Sequence, residues 1–278
     1  MKNAIWIFGD QHRAQALGCN GDPNVNTPNV DRLSAEGLNF ENALSGFPLC
    51  CPARGSLLTS RYPHNCVPGH QHPMPPGSKT IAHAFKDHGY HTAYFGKWHL
   101  DGFQESGGRA AMHVVPPDRR GGFDEWVGFE NNNSQWDCWV HGGEGEDAFQ
   151  ERLEGYETDC LTDILTEFIE ERGRLRQEGS EAPFFAILSV QPPHDPYVAP
   201  AEFMARHNPA GMELRANVPA VDRIEARARR DLAGYYAMIE NLDWNVGRIR
   251  SALTQAGLEH DTHLIFFSDH GDMHGSHG

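Results

Sequence analysis

Residues 183–197 read PFFAILSVQPPHDPY and contain the clearest strand signal in the chain. The first eight are apolar except for one serine, they do not alternate with polar residues, and two prolines follow after Gln191. A short apolar run that ends at such breakers is typical of a strand buried on both faces of a parallel sheet. The stretch therefore predicts a central strand over residues 183–190, with His194 just beyond its C-terminal end.

Three further apolar runs, at residues 4–8, 91–95 and 262–267, also end close to a charged side chain. Parallel strands bring their C-terminal ends to one edge of the sheet, and open α/β sheets bind their ligands at that edge. A lone aspartate after a strand can also be a helix cap or turn former, so no single position decides the matter. The side chains beyond the four strands are nevertheless expected to meet. They are Asp10, Lys97, His194 and Asp269.

Helical patterns, with apolar residues three and four positions apart, lie between the strands. They cover residues 26–37, 78–88, 156–172 and 224–256. Strands that alternate with helices predict an α/β protein with a mostly parallel central sheet. A chain of 278 residues with 39% hydrophobic content can bury a large core, so one large domain is expected.

Residues 101–155 have no clear periodicity and are rich in Gly, Asp and Glu. The pattern predicts a loop-rich insertion above the edge of the sheet. Trp126, Trp136 and Trp139 lie within it. Indole faces can stack on sugar rings or aryl groups, and they can equally pack loops against the core, so the sequence leaves both roles open.

Residues 49–61 read LCCPARGSLLTSR and place a cysteine at a predicted helix start. Pro52 fits the first helical position, because the missing N–H of proline costs nothing there. Cys50 would then lie where helix N–H groups favour a thiolate, with Arg54 about one turn further on. Alternatively, Cys50 and Cys51 are ordinary buried cysteines in a turn. We interpret the stretch as the reaction centre.

The composition excludes several classes of partner. The formal net charge is −15, and no long basic run offsets it, so neither nucleic acid nor an anionic membrane is expected. The six cysteines form neither a compact disulfide pattern nor a CxxC zinc pattern. No stretch has the apolar length of a membrane span, and the N-terminus leads into a strand without a signal-peptide pattern. We therefore expect a cytoplasmic protein.

Four motifs resemble those of the type I sulfatases, which belong to the alkaline phosphatase superfamily. Residues 50–61 resemble the signature Cys-x-Pro-(Ser/Ala)-Arg with its later Leu-Thr-x-Arg, and Ala53 and Ser60 are mild departures from the commoner residues. Residues 89–99 resemble the second signature, which ends in Gly-Lys-Trp-His. Residues 192–197 are similar to a block whose histidine binds sulfate, and residues 268–271 to half of a metal site.

The resemblance implies helices on both faces of the sheet and a sulfuric ester hydrolase that acts on sulfated carbohydrates or aryl sulfates. It also implies that a formylglycine-generating or radical maturation enzyme oxidises Cys50 to formylglycine, whose hydrated aldehyde attacks sulfur, with His99 as a candidate base. The residues implied to have catalytic roles are Cys50, Arg54, Lys97, His99 and His194. Oxygen-rich ligands suit Ca²⁺ best, with Mg²⁺ or Mn²⁺ as alternatives. The implied metal ligands are Asp10, Gln11, Asp269 and His270.

Two alternatives stay open. Phosphonate and phosphate ester hydrolases of the same superfamily also use formylglycine, although Lys97 and His99 favour the sulfatases. The other alternative is an inactive relative that only binds anions. The resemblance covers nearly the whole chain, but its C-terminal subdomain and a lysine thought to protonate the leaving group have no counterpart here. We therefore interpret residues 1–278 as the N-terminal portion of the catalytic domain.

Overall fold

A mixed sheet runs through the centre of the computed structural model, which describes residues 1–180 and 182–278. Among these residues the sheet has seven strands in the order β5-β4-β3-β2-β6-β1-β7. Five neighbouring strands are parallel to one another, namely β3, β2, β6, β1 and β7. Strands β4 and β5 extend the sheet beyond β3 and are paired antiparallel. The strands are β1 (Asn3–Gly9), β2 (His91–Lys97), β3 (Glu125–Phe129), β4 (Trp139–Gly142), β5 (Phe149–Arg152), β6 (Phe184–Val190) and β7 (Thr262–Ser268).

The four strands predicted from apolar runs are neighbours in the parallel part of the sheet. Gly9 of β1 is in register with Val190 of β6 on one side and with Ser268 of β7 on the other. Gly96 of β2 is in register with Ser189 of β6. The four C-terminal ends are therefore level with one another, which confirms the predicted α/β class with a mostly parallel sheet.

Helices cover both faces of the sheet, as the resemblance implied. One face packs against α1, α4 and α6, and its core contains Val30, Leu161 and Leu242. The opposite face packs against α2 and α3 through Leu58 and Ala82. The helices are α1 (Pro28–Glu36), α2 (Cys50–Thr59), α3 (Ile81–Lys86), α4 (Glu157–Gln177), α5 (Ala201–Met204) and α6 (Asp222–Gln255). No helix of the described residues is both long and apolar enough to cross a membrane.

The stretch 101–155 contains more regular structure than its composition predicted. Its three short strands, β3 to β5, extend the sheet, and loops and single 3₁₀ turns join them. The four residues of β5 are all exposed, so this strand lacks the apolar face by which strands are recognised. Trp126 is buried in the core between sheet and helices, whereas Trp136 is 45% exposed. Of the two roles left open by the sequence, Trp126 therefore has the packing role.

The helix that carries the cysteine pair begins earlier than predicted. Cys50 is the first residue of α2, so Pro52 is its third residue and not its first. A proline is tolerated there because the first four N–H groups of a helix have no partner within it, and because the carbonyl it would crowd lies outside the helix. The helix ends at Thr59, and Ser60 caps it in a left-handed conformation with φ 56°.

Candidate active site

Two buried aspartates follow the neighbouring strands β1 and β7. Because Gly9 and Ser268 are in register, the next residues, Asp10 and Asp269, lie side by side. Arg54 on α2 bridges them, with its Nη2 3.3 Å from Asp10 Oδ2 and its Nε 3.1 Å from Asp269 Oδ2. All three side chains are almost completely buried. The strand ends and the helix are therefore joined by a buried ion-pair network.

A lysine completes this network from strand β2. Lys97 Nζ lies 2.6 Å from Asp10 Oδ2, and neither side chain is exposed. The Lys97 carbonyl accepts hydrogen bonds of 2.8 Å from Arg54 Nη1 and from the Ser189 hydroxyl, and Arg54 Nη1 also donates to that hydroxyl oxygen at 2.8 Å. Arg54 is thus fixed at the ends of four strands, β1, β2, β6 and β7.

The pKa values of the two carboxyl groups are shifted in opposite directions. Burial opposes ionisation of Asp10, yet Lys97 and then Arg54 hold its pKa well below its ordinary value. Burial and repulsion from Asp10 raise the pKa of Asp269 despite the attraction of Arg54. Burial is the largest influence on Lys97 and acts to lower its pKa, but the attraction and hydrogen bond of Asp10, together with Cys50, leave that pKa raised. Asp10, Lys97 and Arg54 are therefore charged together in a water-poor site.

Cys50 is directed into the same network. Its thiol donates to Asp10 Oδ1 at 3.1 Å, and its Sγ lies 3.2 Å from His270 Nε2. Burial, and next the Asp10 carboxylate, raise the pKa of Cys50 although Lys97 opposes this. The prediction that the helix start favours a thiolate is therefore wrong for the unmodified side chain. The thiol is correctly placed but poorly activated.

The predicted metal ligands form a compact group. One ligand atom from each of Asp10, Cys50, Asp269 and His270 lies within 4.8 Å of the others. Gln11 is tied to the group through its backbone N–H, which lies 3.2 Å from Asp269 Oδ1. Its side-chain Oε1 is buried without a hydrogen-bond partner among the described residues. Two carboxylates, an imidazole and an orphaned amide oxygen fit a divalent cation that prefers oxygen.

Two predicted histidines border this centre, and within the described residues neither forms a hydrogen bond or ion pair with the predicted metal ligands. His99 is 4% exposed, and its Nδ1 has no hydrogen-bond partner in the described part of the chain. Burial and the positive charges of Lys97 and Arg54 hold its pKa well below its ordinary value, so the imidazole is neutral. His194 follows β6; a positive charge on its ring lowers the pKa of Asp10, and its Nδ1 lies 2.7 Å from the Asp195 carbonyl oxygen.

Three supporting residues were missed from the sequence. Ser189 anchors Arg54, and the Tyr94 hydroxyl donates to the Lys97 carbonyl. Glu157 at the start of α4 is completely buried and accepts a 2.7 Å hydrogen bond from the backbone N–H of Gln191. Burial raises the pKa of Glu157 to about 8. Only Ser189 carries a sequence signal, as the one hydroxyl in an otherwise apolar strand.

Comparison with known proteins identifies relatives of this arrangement. The family profile named Sulfatase matches residues 2–278. An ulvan-active sulfatase from Formosa agariphila is 34% identical over 278 residues, which cover 99% of this chain and 51% of the relative. The chain therefore spans about half the length of this curated relative.

Solved structures share the fold. A crystal structure named as the sulfatase yidJ of Bacteroides fragilis has a TM-score of 0.88 at 29% identity, and the match covers 99% of this chain and 63% of that one. A phosphonate monoester hydrolase from Agrobacterium radiobacter has a TM-score of 0.70 at 24% identity, over 100% of this chain and 64% of that one. The second likeness concerns the fold alone, so fold does not distinguish the two kinds of esterase.

Proposed function

The chain belongs to the sulfatase family, and from this premise we propose that it carries the reaction centre of a hydrolase for sulfate monoesters of carbohydrates or aryl alcohols. The observation that carries the proposal is the position of Cys50. Its Sγ lies between Asp10 and His270, beside the buried cations Arg54 and Lys97. Attack on an anionic ester requires a nucleophile placed beside cationic groups in a site shielded from water.

Maturation of Cys50 supplies the nucleophile in this proposal. A buried thiol with a raised pKa is a poor nucleophile, because the thiolate is the reactive form. A maturation enzyme would convert Cys50 to formylglycine, whose hydrate presents two hydroxyl groups at the same position. One hydroxyl attacks sulfur and the alcohol leaves. Transfer of the proton of the other hydroxyl to His99, our candidate base, then re-forms the aldehyde and breaks its C–O bond to sulfate, which leaves; the neutral imidazole of His99 has the free lone pair that this step requires.

Asp10, Gln11, Asp269 and His270 would hold the metal ion. Ca²⁺ suits this ligand set best, and Mg²⁺ and Mn²⁺ are the alternatives. A bound divalent cation supplies charge stabilisation to the oxygens of the ester and of the nucleophile.

Arg54 and Lys97 alone do not give the centre a net positive charge, because two aspartates neutralise them. The charges of Asp10, Asp269, Arg54 and Lys97 sum to zero when all four side chains are ionised. A divalent ion makes the centre positive, which favours an anionic substrate. Lys97 and His194 then have the role of orienting the sulfate group.

A phosphonate or phosphate ester hydrolase is the second candidate, and a specific pair of residues separates it from the first. Lys97 and His99 belong to the sulfatase signature that residues 89–99 resemble, and both side chains are buried, Lys97 in contact with Asp10. The shared fold of the phosphonate monoester hydrolase keeps this candidate in the test. An inactive anion-binding relative is the third outcome.

The test combines mass spectrometry with a substrate panel. The protein is produced together with a maturation enzyme, and the peptide that contains Cys50 is weighed for conversion to the aldehyde. Aryl sulfate, sugar sulfate, phosphate and phosphonate esters are then compared at equal concentration with Ca²⁺, Mg²⁺ or Mn²⁺. We expect an aldehyde and the highest turnover on a sulfate ester. An unmodified thiol in active protein would contradict the proposed nucleophile, and faster phosphonate turnover would establish the second candidate.

A further inference from the structure

A second group of metal-ligating side chains lies beside the reaction centre. It consists of Cys51, His70 and His99, and one ligand atom from each lies within 4.8 Å of the others. The Cys51 Sγ is 3.9 Å from His70 Nδ1, and the rings of His70 and His99 are 5.4 Å apart at an interplanar angle of 86°. None of these contacts is needed by the proposed hydrolysis.

The backbone fixes this group in place. Cys51 is the second residue of α2, and its Sγ accepts a 3.3 Å hydrogen bond from the backbone N–H of Gln71. The Gln71 carbonyl is held in turn by Gln104 Nε2 at 2.9 Å. His99 has a left-handed backbone with φ 57°, which turns the chain directly after β2. The group therefore rests on a helix, a strand end and a braced loop.

The three side chains of the group differ in burial. Cys51 and His99 are buried, and the Nδ1 of His99 has no hydrogen-bond partner among the described residues. His70 is exposed, so an ion can enter from solvent beside it. The unpartnered Nδ1 of His99 therefore lies in a group that also contains a fixed sulfur and a second imidazole.

The donor chemistry differs from that of the first centre. One thiolate and two imidazoles prefer Zn²⁺ to Ca²⁺ or Mg²⁺, which prefer oxygen. Bonds of about 2.3 Å to sulfur and about 2.0 Å to nitrogen place the two atoms about 3.5 Å apart in a tetrahedral site. The observed 3.9 Å therefore requires a shift of only a few tenths of an ångström. A water molecule would complete the usual four ligands of Zn²⁺.

We propose that Cys51, His70 and His99 form a Zn²⁺ site, and that the bound ion inhibits the neighbouring reaction centre by engaging His99. The Cys51 thiol releases its proton to solvent when it binds the ion, and no redox change occurs. The inhibitory part rests on the proposed function, because it needs His99 as the base. The binding part does not.

Cobalt absorption tests the binding part on the 278-residue chain. Co²⁺ replaces Zn²⁺ as a probe, because a thiolate bound to Co²⁺ gives a charge-transfer band, and excess Ca²⁺ is present to fill the carboxylate centre. We expect the band in the unsubstituted chain and in Cys50→Ala, and its loss in Cys51→Ala and Cys51→Ser. In His70→Gln the Kd for Co²⁺ should rise about tenfold or more. Circular dichroism checks that each variant is folded.

Two results would overturn the zinc site. One is the absence of the band from the unsubstituted folded chain. The other is loss of the band in Cys50→Ala, because the ion would then bind in the Asp10 centre. The Cys50→Ala variant is the matched control, since both cysteines lie at the start of the same helix.

Zinc inhibition tests the regulatory part on matured protein loaded with Ca²⁺. Without zinc, the turnover of His70→Gln is expected to lie within about twofold of that of the unsubstituted protein. Half inhibition of His70→Gln should require at least about tenfold more Zn²⁺ than half inhibition of the unsubstituted protein. Equal zinc sensitivity of the two proteins would overturn the inhibitory role. If matured protein hydrolyses no sulfate ester, the proposed function fails, whereas the cobalt spectra still decide whether the zinc site exists.

Discussion

Replacement of Arg54 by methionine is the sharpest test of the buried network. The change removes the cation that bridges Asp10 and Asp269 but keeps much of the apolar stem. Removal of one partner from a buried ion pair costs about 3–5 kcal/mol, because the remaining charge is left uncompensated. Lys97 still pairs with Asp10, so the loss falls mainly on Asp269.

The expected loss can be converted into a shift of the melting temperature. At about 2.1 cal/mol/K per residue, the unfolding entropy of the chain is about 0.6 kcal/mol/K, so the loss corresponds to about 5–9 °C. The measurement is thermal unfolding of metal-free protein followed by circular dichroism. Arg174→Met is the matched control, because the Arg174 pair with Glu178 is exposed and such pairs contribute about 0–1 kcal/mol.

Calcium gives this test a second readout. Without Arg54 the two aspartates repel each other, so a divalent ion between them should stabilise Arg54→Met more than it stabilises the unsubstituted protein. Equal melting temperatures of metal-free Arg54→Met and metal-free unsubstituted protein would refute the reasoning on the network. A calcium effect of the same size in both would refute the placement of the metal site.

Three further predictions concern neighbouring residues. Burial raises the pKa of Glu157 to about 8, so the folded state keeps this proton at pH values where the unfolded chain, with a pKa of about 4.5, has lost it. The free energy of unfolding should therefore fall as the pH rises from about 4.5 to 8, by up to about 1.4 kcal/mol per pH unit. Urea unfolding of Glu157→Gln should lack this decrease. Matured Lys97→Ala and His99→Ala should lose about 10²–10⁴-fold in kcat on a sulfate ester with a smaller change in KM, and unchanged kcat in either would remove that residue from the reaction. Gly96→Ala should lower the free energy of unfolding by about 3 kcal/mol or more, because φ is 108° and an added Cβ would collide with a main-chain oxygen of β6. Gly46→Ala is the control, because the space around Gly46 is open. Equal urea midpoints for the two variants would contradict the prediction.

The sequence predicted the parallel strands and the residues beyond them because burial leaves a strong local signal. Residues of β6 are buried without exception, and the apolar run that encodes them can be read directly. A parallel sheet then has one edge at which all strands end, so Asp10 and Asp269 had to approach each other once β1 and β7 were neighbours. The position of a site can thus follow from local patterns and one rule of topology.

Short edge strands give no comparable signal. Strand β4 has only four residues, and the four residues of β5, FQER, are all exposed and mostly polar. Both strands are therefore held in place by their pairing in the sheet and not by a composition typical of strands. The start of α2 was misplaced for a related reason. Proline favours the first helical position, but the fold extends the helix back to Cys50, which brings the thiol within 3.1 Å of Asp10.

Protonation lies beyond any local pattern, because it depends on distances between residues far apart in sequence. Asp10 and Asp269 both follow buried strands and both are buried, yet the pKa of Asp10 is lowered and that of Asp269 is raised. The difference arises because Lys97, 87 positions after Asp10, lies 2.6 Å from Asp10 Oδ2. The same network keeps Cys50 a thiol where a helix start alone favours a thiolate. A centre assembled to concentrate charge therefore suppresses the native reactivity of its own cysteine, which is the physical reason to expect that Cys50 acts only after it has been modified.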